Sequence, residues 1–476
     1  MKTSINQLTV DKQQLINAEQ AWHYRIIPHD FSEDSLTFYV ADNRQDYTDL
    51  EEELALLFGK RISLTSIPEA ALEESLYRYY RQSKTNTKKD VAIDVNDVEN
   101  FLFELIKEAK QIESSDIHIE TYENLARVRF RIDGKLVEKY YLNKPDYPSL
   151  VNKIKIQANL DISEKRLPQD GRIFFEEGAE KFDLRVSILP TLYGEKIVLR
   201  ILGNDAKHLD LESLGLSDQQ LNLYTQSIKK PNGIILISGP TGSGKTTTLY
   251  ATLKQLNNKD TNILTIEDPI EYTLEGINQV QLKEGIGLDF AAALKSFLRQ
   301  DPDIVMLGEI RDVKTAEMAI RTSLTGHLVF STIHTNSSFE TITRLIDMGV
   351  PRFMIASTLN ASVAQRLVRL LCDSCKTSKK TEPGDLPNHI DVDQLTSSFH
   401  PVGCPECYYT GYKGRKAIYE ILYITKELSE YIKNDTFEQA KKQDKIKVDT
   451  LADQAFQLLK EGHTSLAEVY PLLLDN

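Results

Sequence analysis

The sequence has very little cysteine and no long apolar run. Its only four cysteines fall between Cys372 and Cys407 of a 476-residue chain. No stretch approaches the roughly 18 apolar residues that a membrane-spanning helix needs, and the opening MKTSINQLTVDKQQ lacks the apolar core of a signal peptide. These absences predict a cytosolic protein. In a reducing cytosol, the cysteines are poor candidates for structural disulfides.

Basic residues are also fewer than acidic ones, with 57 Lys and Arg against 70 Asp and Glu. The formal net charge is −13, which argues against a non-specific nucleic-acid binder. The apolar content of 41% and the charged content of 27% are ordinary for a globular protein. A chain of this length is too long for one core, so we expect about two to four domains. We expect no nucleic-acid partner.

Changes in apolar periodicity divide the chain into three units. Residues 1–80 are predicted to form a small α+β module, and the polar stretch 81–97 a linker. Residues 98–205 combine a helix with alternating strands, and 206–214 form a second predicted linker. In residues 215–476, apolar strands alternate with amphipathic helices, which is the pattern of a parallel sheet. The predicted fold class is therefore α/β.

The stretch GIILISGPTGSGKTTTLY contains the most specific motif in the chain. An apolar strand, Ile234 to Ile237, leads into G-x-x-x-x-G-K-T, which then opens a helix. Glycines in this context let backbone N–H groups turn inward around phosphates. Lys245 supplies a positive charge for the β- and γ-phosphates, and the Thr246 hydroxyl can bind Mg²⁺. The motif predicts that the chain binds a nucleoside triphosphate. The predicted nucleotide-contacting residues are Gly239, Pro240, Thr241, Gly242, Ser243, Gly244, Lys245, Thr246 and Thr247.

Carboxylates follow two of the predicted strands downstream. Glu267, Asp268 and Glu271 come directly after an apolar run in NILTIEDPIEY, and Glu309 ends the next such run in DIVMLGEIRD. Because the carboxyl ends of parallel strands face the ligand crevice, these acids can hold Mg²⁺ or orient an attacking water. The alternative for each is an ordinary solvated or helix-capping acid. Glu267, Glu271 and Glu309 are all candidates for the general base.

Two histidines flank the next predicted strand, in TGHLVFSTIHTN. A single histidine in such a place is more often structural. His327 and His334 bracket a core strand, however, so both are candidates for sensing the γ-phosphate. A structural role for both stays open.

The four cysteines form two C-x₂-C pairs. Cys372 and Cys375, with Cys404 and Cys407, suit tetrahedral Zn²⁺ with four thiolate ligands. The 28 residues between the pairs (376 to 403) exceed the usual zinc-ribbon spacing, so residues 371–412 are predicted to form a small subdomain that folds back on itself. Redox-active or free thiols are the alternatives.

Several motifs stand in an order that one protein family shares. After the P-loop come an Asp-box-like TIEDPIEY, a Walker-B-like LRQDPDIVMLGEIRD and a His-box-like GHLVFSTIHTN. Upstream, SSDIHIE, RFRIDG and RLPQDGR are similar to the N2 domain of that family. Over nearly its whole length, the chain resembles the GspE/PilB family of secretion ATPases, the motors of type II secretion and type IV pilus assembly.

The resemblance implies a RecA-like ATPase domain (215–476), a PAS-like N2 domain (98–205) and a small N1 domain (1–80), assembled as a homohexamer. Each ATP, with Mg²⁺, would lie between the two larger domains. The Asp-box glutamates are implied to activate water, and the Walker B glutamate Glu309 to lie in the Mg²⁺ sphere. The four-cysteine zinc subdomain is implied to mark export-type members. Arginines held outside the P-loop domain are implied to complete the site, and the candidates carried over by motif are Arg166, Arg172, Arg185, Arg299 and Arg311.

One position departs from the pattern of the family. Many relatives carry a second arginine four residues before Arg299, where this chain has Lys295. Lysine keeps the charge but lacks the bidentate fork of arginine. The role of this position is therefore not carried over.

The first domain is similar to the second half of the family's N1 domain, a docking module. The resemblance implies binding to an inner-membrane platform protein of the PilC/GspF type or to a cytoplasmic adaptor. Pilins or pseudopilins would be contacted indirectly, and the protein would be cytoplasmic with peripheral association with the membrane. Some relatives begin with an R-L-G segment that binds a cyclic dinucleotide. No such segment precedes Trp22, so this ligand is not predicted.

These features favour a hexameric ATP-hydrolysing motor that assembles type IV pili or type II secretion pseudopili. Competence pseudopilus assembly stays open, because the platform and the pilins select the cargo. PilT-type retraction motors look shorter, without the N1 domain and the cysteine insert. A nucleic-acid translocase on the same RecA core is a further alternative, against which the acidity argues. The last alternative is a catalytically silent, nucleotide-gated scaffold. The presence of Lys245, Glu309 and both box histidines argues against it.

Overall fold

A computed structural model places most residues of the chain. They group into an N-terminal module, a central domain and a C-terminal domain, each around its own apolar core. The described residues are 12, 15–16, 18–32, 35–44, 47–80, 90–91, 98–177, 180–202, 210–382, 384–387, 389–390, 392–443 and 445–474.

The N-terminal module is a small three-stranded sheet packed against helices. Its elements are α1 (Ala18–Tyr24), β1 (Ile27–Phe31), β2 (Ser35–Ala41), α2 (Tyr47–Phe58), β3 (Arg61–Ile67) and α3 (Glu69–Tyr79). Strand β2 pairs antiparallel with β1 and parallel with β3. Its alternation buries Leu36, Phe38 and Val40, which share a core with Leu50 and Leu54 of α2.

The central domain is built on a seven-stranded sheet. Its elements are β4 (Asp90–Val91), α4 (Val98–Gln111), β5 (Asp116–Thr121), β6 (Ala126–Ile132), β7 (Lys135–Leu142), α5 (Tyr147–Gln157), β8 (Gln169–Glu177), β9 (Glu180–Thr191) and β10 (Gly194–Leu202). The strand order is β4-β7-β6-β5-β10-β9-β8, and only the β4 and β7 pair is parallel among these strands. Helices α4 and α5 cover one face of the sheet through a shared apolar core.

Both predicted linkers contain residues that belong to a domain. Residues 90–91 of the predicted linker 81–97 pair with β7 and extend the central sheet, because an open sheet edge offers free backbone hydrogen-bonding groups. In the predicted linker 206–214, Leu211 is buried in the core of the C-terminal domain, as apolar burial favours. The remaining predicted linker residues 81–89, 92–97 and 206–209 lie outside the described residues.

The C-terminal domain contains a second seven-stranded sheet, with the order β13-β12-β14-β15-β11-β16-β19. All neighbouring pairs are parallel except β16 with β19. The strands are β11 (Gly233–Ser238), β12 (Ile263–Glu267), β13 (Asn278–Gln281), β14 (Ile304–Leu307), β15 (Leu328–Ile333), β16 (Leu359–Leu371), β17 (Thr377–Lys380), β18 (Ser397–His400) and β19 (Tyr412–Tyr423). The helices are α6 (Asp218–Ile228), α7 (Lys245–Leu256), α8 (Phe290–Phe297), α9 (Val313–Leu324), α10 (Ser338–Asp347), α11 (Arg352–Thr358), α12 (Lys426–Lys433), α13 (Phe437–Lys442), α14 (Leu451–Lys460) and α15 (Leu466–Leu473).

Helices cover both faces of this sheet, which explains the composition of its strands. One apolar core lies on the side of α9 and α10, and another on the side of α6 and α7. Strands β11, β14 and β15 are consequently buried along their whole length. Side chains of Asp312 and Ser337 cap α9 and α10 by accepting backbone N–H groups of their first turns. Strand ends and helix starts therefore meet at one edge of the sheet, which we call the carboxyl edge.

Candidate functional site

The predicted phosphate loop lies at the carboxyl edge, between the end of β11 and the start of α7. Gly239, Gly242 and Gly244 have φ values of +146°, +83° and +87°, in the region that favours glycine. A Cβ atom on Gly239 would lie 2.5 Å from the carbonyl oxygen of Gln365. At Gly239 the loop is thus packed so tightly against β16 that a side chain would displace backbone, and a Cβ atom on Gly244 would meet the Gln365 side chain at 2.8 Å.

The side chain of Lys245 lies inside this loop. Its Nζ donates hydrogen bonds to the carbonyl oxygens of Gly239 and Pro240, at 2.7 and 2.9 Å. Burial lowers the pKa of Lys245, the carboxylate of Glu309 raises it, and Arg366 lowers it again. The first turn of α7, with Thr246 and Thr247, directs N–H groups to the same place. This arrangement suits the binding of polyphosphate.

Parallel pairing brings the carboxylates of two strands to this edge. Strand β14 lies between β12 and β15, and β15 in turn pairs with β11. Residues that follow β12 and β14 therefore lie on the same edge as the P-loop. The predicted proximity of the Asp-box and Walker-B segments to the phosphate site follows from this strand order.

Glu309 has two side-chain partners in the crevice, Arg311 and His334. Its carboxylate forms an ion pair with Arg311 and lies 3.2 Å from Nε2 of His334. Arg311 also approaches Asp268, with 4.0 Å between Nη1 and Oδ2. The Glu309 side chain is 15% exposed. A carboxylate placed beside the P-loop in this way is a suitable ligand for Mg²⁺.

Glu267 and Glu271 occupy different environments although four positions apart. Glu267 is 3% exposed and points into the domain, where Tyr250, Thr265 and Gln279 donate hydrogen bonds to its carboxylate. The structure therefore does not bring Glu267 to the open crevice, in contrast to the expectation that all three glutamates line it. Glu271 is on the outer side, because the chain turns after β12.

Arg185 of the central domain reaches across the joint to Glu271. Its Nη1 lies 3.0 Å from Oε2 of Glu271, and its Nη2 donates a hydrogen bond to the carbonyl oxygen of Ile270. Both contacts engage the Asp-box loop of the C-terminal domain. Arg185 is the predicted arginine that the structure places between the two domains.

The two box histidines lie at opposite ends of β15. His334 is at the carboxyl edge, beside Glu309. His327 precedes the strand, and its carbonyl oxygen accepts the N–H of Gly233 at the start of β11. Six residues of strand place the two histidines about 20 Å apart. Within a single chain, the ring of His327 contacts Thr322 and Thr325 at the opposite end of the strand from His334, and a γ-phosphate role for both histidines stays a prediction.

The remaining candidate arginines have local partners. Arg166 is 88% exposed and pairs with Glu164, and Arg172 pairs with Asp183 of the neighbouring strand. Arg299 donates to the carbonyl oxygen of Lys295 and to the Ser296 hydroxyl at the end of α8. The structure therefore does not bring these three arginines into contact with the P-loop.

Two site residues on β16 escaped the sequence prediction. Gln365 supports the P-loop and accepts a hydrogen bond from the Thr248 hydroxyl at 2.9 Å. Arg366 donates to the carbonyl oxygen of Asn336, which lines a cleft of about 490 Å³ at the mouth of the P-loop. The available signal was a polar Gln-Arg pair in the middle of a largely buried strand.

The four cysteines meet at the far end of the antiparallel β16 and β19 pair. Cys372 follows β16, Cys407 precedes β19, and Leu371 lies opposite Tyr412. This pairing brings the two C-x₂-C segments together despite the insert between them. The insert forms the short hairpin of β17 and β18, which packs against α14 and α15.

The sulfur atoms have the spacing of a tetrahedral metal site. All four lie within 4.8 Å of one another, and three Sγ pairs are 3.8 Å apart, namely those of Cys372 with Cys404, Cys375 with Cys407, and Cys404 with Cys407. Four sulfurs each about 2.3 Å from Zn²⁺ would be about 3.8 Å apart. Burial raises the pKa of Cys375 to about 12, so a cation is needed to keep such a sulfur ionised at neutral pH. The donor set fits Zn²⁺.

Among the described residues, no helix is both long enough and apolar enough to cross a membrane.

The strand order, the P-loop and the carboxylates at one edge define a P-loop ATPase of the RecA-like class. The chain belongs to the Type II/IV secretion system protein family, whose model matches residues 91–471. It is an ATPase of that family.

Relatives of known name cover most of the chain. The Type IV pilus assembly ATPase PilB of Myxococcus xanthus is 40% identical, over 96% of this chain and 85% of its own length. The Type II secretion system ATPase E of Vibrio cholerae is 39% identical, over 92% of each chain.

Solved structures of related ATPases share the fold. The Legionella pneumophila ATPase DotB superposes with a TM-score of 0.60 at 22% identity, over 79% of this chain and 95% of DotB. The pilus retraction motor PilT, solved with bound ADP, gives a TM-score of 0.53 at 26% identity, over 78% of this chain and 96% of PilT.

Proposed function

We propose that this ATPase is a motor that drives assembly of a type IV pilus. The observation that carries the proposal is the extent of the similarity to PilB, which spans 96% of the chain. That span takes in the N-terminal module and the four-cysteine subdomain. The retraction motor PilT matches only 78% of this chain. The additional parts therefore support assembly rather than retraction.

Assembly of a type II secretion pseudopilus is the second candidate. The Vibrio cholerae secretion ATPase matches 92% of this chain at 39% identity, close to the value for PilB. Both functions use the same hydrolytic site, and competence pseudopilus assembly would use it as well. Deletion in the source cell, with surface filaments, secretion and DNA uptake scored together, separates these three.

The proposed hydrolytic site uses groups from four segments of the carboxyl edge. The P-loop binds the phosphates of ATP, and Thr246 with Glu309 would hold Mg²⁺, which neutralises charge on the phosphate oxygens. Glu271 is the proposed base that orients the attacking water, because Glu267 is buried. His334, 3.2 Å from Glu309, is in place to respond to the γ-phosphate.

Arg185 is the proposed arginine that completes the site from the central domain. It is already in contact with the Asp-box loop that carries Glu271, so closure of the joint would bring its charge to the phosphates. Arg311 is held by Glu309 and Asp268 at the same edge. Arg166, Arg172 and Arg299 would have to leave their local partners, so their participation requires a rearrangement in the assembled ring.

The proposed assembly is a homohexamer on the cytoplasmic face of the membrane. The N-terminal module, which has its own core, is the proposed docking domain for a platform protein of the PilC/GspF type or a cytoplasmic adaptor. Pilins or pseudopilins would be moved through that platform. The four cysteines are proposed to bind one structural Zn²⁺, as the sulfur spacing supports.

The test of the motor proposal is ATP hydrolysis by the purified full chain and its Lys245→Ala variant. Loss of the Lys245 charge from the phosphate site should lower kcat at least about a hundredfold, the scale for removing one donor that stabilises transition-state charge. Lys254→Ala, at the other end of the same helix, is the control and should keep activity. Activity that does not depend on oligomer formation, or strong stimulation by DNA or RNA, would contradict the proposal.

A further inference from the structure

Beneath the carboxyl edge, a buried hydrogen-bond network joins the P-loop helix to the Asp-box loop. It consists of Tyr250 from α7, Thr265 and Glu267 from β12, and Gln279 from β13. Tyr250, Thr265 and Glu267 are all buried. The network thus runs through the interior of the domain, directly under the proposed hydrolytic site.

Both carboxylate oxygens of Glu267 accept hydrogen bonds inside this network. Its Oε1 accepts hydrogen bonds from the Thr265 hydroxyl at 2.5 Å and from Nε2 of Gln279 at 3.1 Å. Its Oε2 accepts a hydrogen bond from the Tyr250 hydroxyl. A general base must reach the proton that it removes, directly or through one water. With 3% exposure and both oxygens engaged, Glu267 lacks such a path.

The hydroxyl of Tyr250 has a second partner on the other side. It accepts the backbone N–H of Glu271 at 3.3 Å and lies 3.4 Å from Nε2 of Gln279. Because the Tyr250 hydroxyl donates its own hydrogen bond to Glu267, its oxygen is left to accept those of the Glu271 amide and Gln279. Tyr250 belongs to the helix that begins at Lys245. A continuous set of contacts therefore links the phosphate-binding helix to the backbone of the proposed base.

We propose that Glu267 and Tyr250 are positioning residues that hold the backbone of Glu271 at the nucleotide crevice. The proposal rests on the proposed function, with Glu271 as the base. Glu267 orients the Tyr250 hydroxyl, and that hydroxyl anchors the Glu271 amide. On the outer side, Arg185 holds the Glu271 carboxylate. The position of Glu271 thus depends on an inner anchor at its backbone and an outer anchor at its carboxylate.

The expected size of the effect follows from the geometry of proton transfer. A positioned general base contributes about 10²–10⁴ to the rate, and a displacement of about 1 Å can cost about 10². Loss of the inner anchor should therefore reduce kcat without removing the base. Binding of ATP, which depends on the P-loop, should remain.

The first experiment compares Tyr250→Phe with a matched control in the full-length ATPase. Tyr250→Phe removes the three hydrogen bonds of the hydroxyl, to Glu267, Glu271 and Gln279. It should lower kcat about 10–100-fold, with the KM for ATP within about threefold. The control is Tyr272→Phe. The Tyr272 ring packs against Tyr250 at 4.6 Å, but its buried hydroxyl has no hydrogen-bond partner among the residues that the structure describes. Tyr272→Phe should therefore keep kcat within about twofold. Equal losses in both variants, or a rise in KM that accounts for the loss, would overturn the proposal.

A double-mutant cycle separates positioning from a general loss of structure. Glu271→Gln removes the proposed base, so adding Tyr250→Phe should reduce kcat by less than about a further twofold. Residues that act as a unit give such non-additive losses. Fully additive losses would show that Tyr250 acts independently of Glu271, and would overturn the assignment.

The pH dependence of kcat/KM distinguishes the two glutamates. Glu267→Gln should lose no more than about tenfold and should retain the acidic limb of the profile, whereas Glu271→Gln should lose that limb. The opposite pattern would make Glu267 the base and overturn the positioning role alone. A wild-type chain without ATPase activity would instead overturn the proposed function itself.

Discussion

The two seven-stranded sheets distribute their charged side chains in opposite ways. In the central domain, Asp116, His118 and Glu120 alternate along β5 with buried isoleucines, and their face meets Arg129 of β6 and Lys196 of β10. In the C-terminal domain, β11, β14 and β15 are uncharged and buried throughout. The acids of the Asp-box and Walker-B segments there lie at or after the ends of β12 and β14.

The layer structure of each domain explains this difference. An antiparallel sheet covered by helices on one face leaves a second face for ion pairs, whereas a parallel sheet covered on both faces leaves only its edge. Two buried glutamates illustrate the contrast, since Glu120 and Glu267 are each 3% exposed. Glu120 pairs with three cations. Among the described residues, Glu267 has only neutral donors. We infer that ion pairs on the face of the central sheet stabilise its fold, whereas charged side chains at the carboxyl edge of the C-terminal sheet can contact a ligand.

The largest expected effect concerns the four-cysteine extension of the C-terminal sheet. This extension belongs neither to the charged face of the central sheet nor to the carboxyl edge. We expect one zinc per chain, lost in Cys404→Ser, with protease sensitivity of residues 371–412. The physical reason is that structural zinc supplies about 10–16 kcal/mol to such a fold. Metal analysis and limited proteolysis measure both results. Ser374→Ala, between the ligands but exposed, should keep its metal. A folded, metal-free wild-type protein would refute the zinc assignment.

The second effect concerns the contact between Arg185 of the central sheet and the Asp-box loop of the C-terminal domain. Arg185→Ala should lower kcat for ATP at least about a thousandfold, because an arginine that stabilises the departing phosphoryl group contributes about 10³–10⁵. The measurement is steady-state hydrolysis by the assembled ring. Arg200, opposite Arg185 in the sheet, pairs with Asp116 inside the central domain. Arg200→Ala should therefore keep activity. A comparable loss of kcat in both variants would contradict a specific role for Arg185 at the joint between the domains.

The smallest effect concerns the charged face of the central sheet. Burial alone would raise the pKa of Glu120, but hydrogen bonds from Arg129, Lys196 and Arg127 outweigh it and lower the pKa to about 2. A pKa below the unfolded value of about 4.3 stabilises the folded state at neutral pH, here by about 3 kcal/mol. This stabilisation is complete above the unfolded pKa and is lost as the pH falls through about 2.

Glu120→Gln provides the measurement for this prediction. Hydrogen exchange of the β5 and β6 amides should give a lower unfolding free energy for the variant at pH 7. The difference from wild type should shrink as the pH falls below about 4.3. Glu123→Gln, at an exposed position of the adjacent turn, should show no such difference. A gap between wild type and Glu120→Gln that is independent of pH would contradict the role of the charge.

Local motifs made the P-loop and the family predictable. The roles of the individual glutamates and histidines were not predictable from the sequence. The P-loop from Gly239 to Thr246 needs only a strand, a glycine-rich turn and a helix, all contiguous in the chain. The family was likewise predictable from ordered motifs, and the family model and relatives confirm it. The different fates of Glu267 and Glu271 were not predictable, because a turn of the chain sends one inward and the other outward. His327 and His334 look equivalent in sequence, yet a strand separates them.

The sequence by itself determined the P-loop, the family and the two C-x₂-C pairs, because each depends on residue types at short, fixed spacings. The tertiary structure decided which acids reach the crevice, which arginine crosses the joint and how two distant cysteine pairs meet. Those outcomes depend on strand order and on antiparallel pairing of β16 with β19. Such pairings join residues far apart in the chain, and no local pattern specifies them.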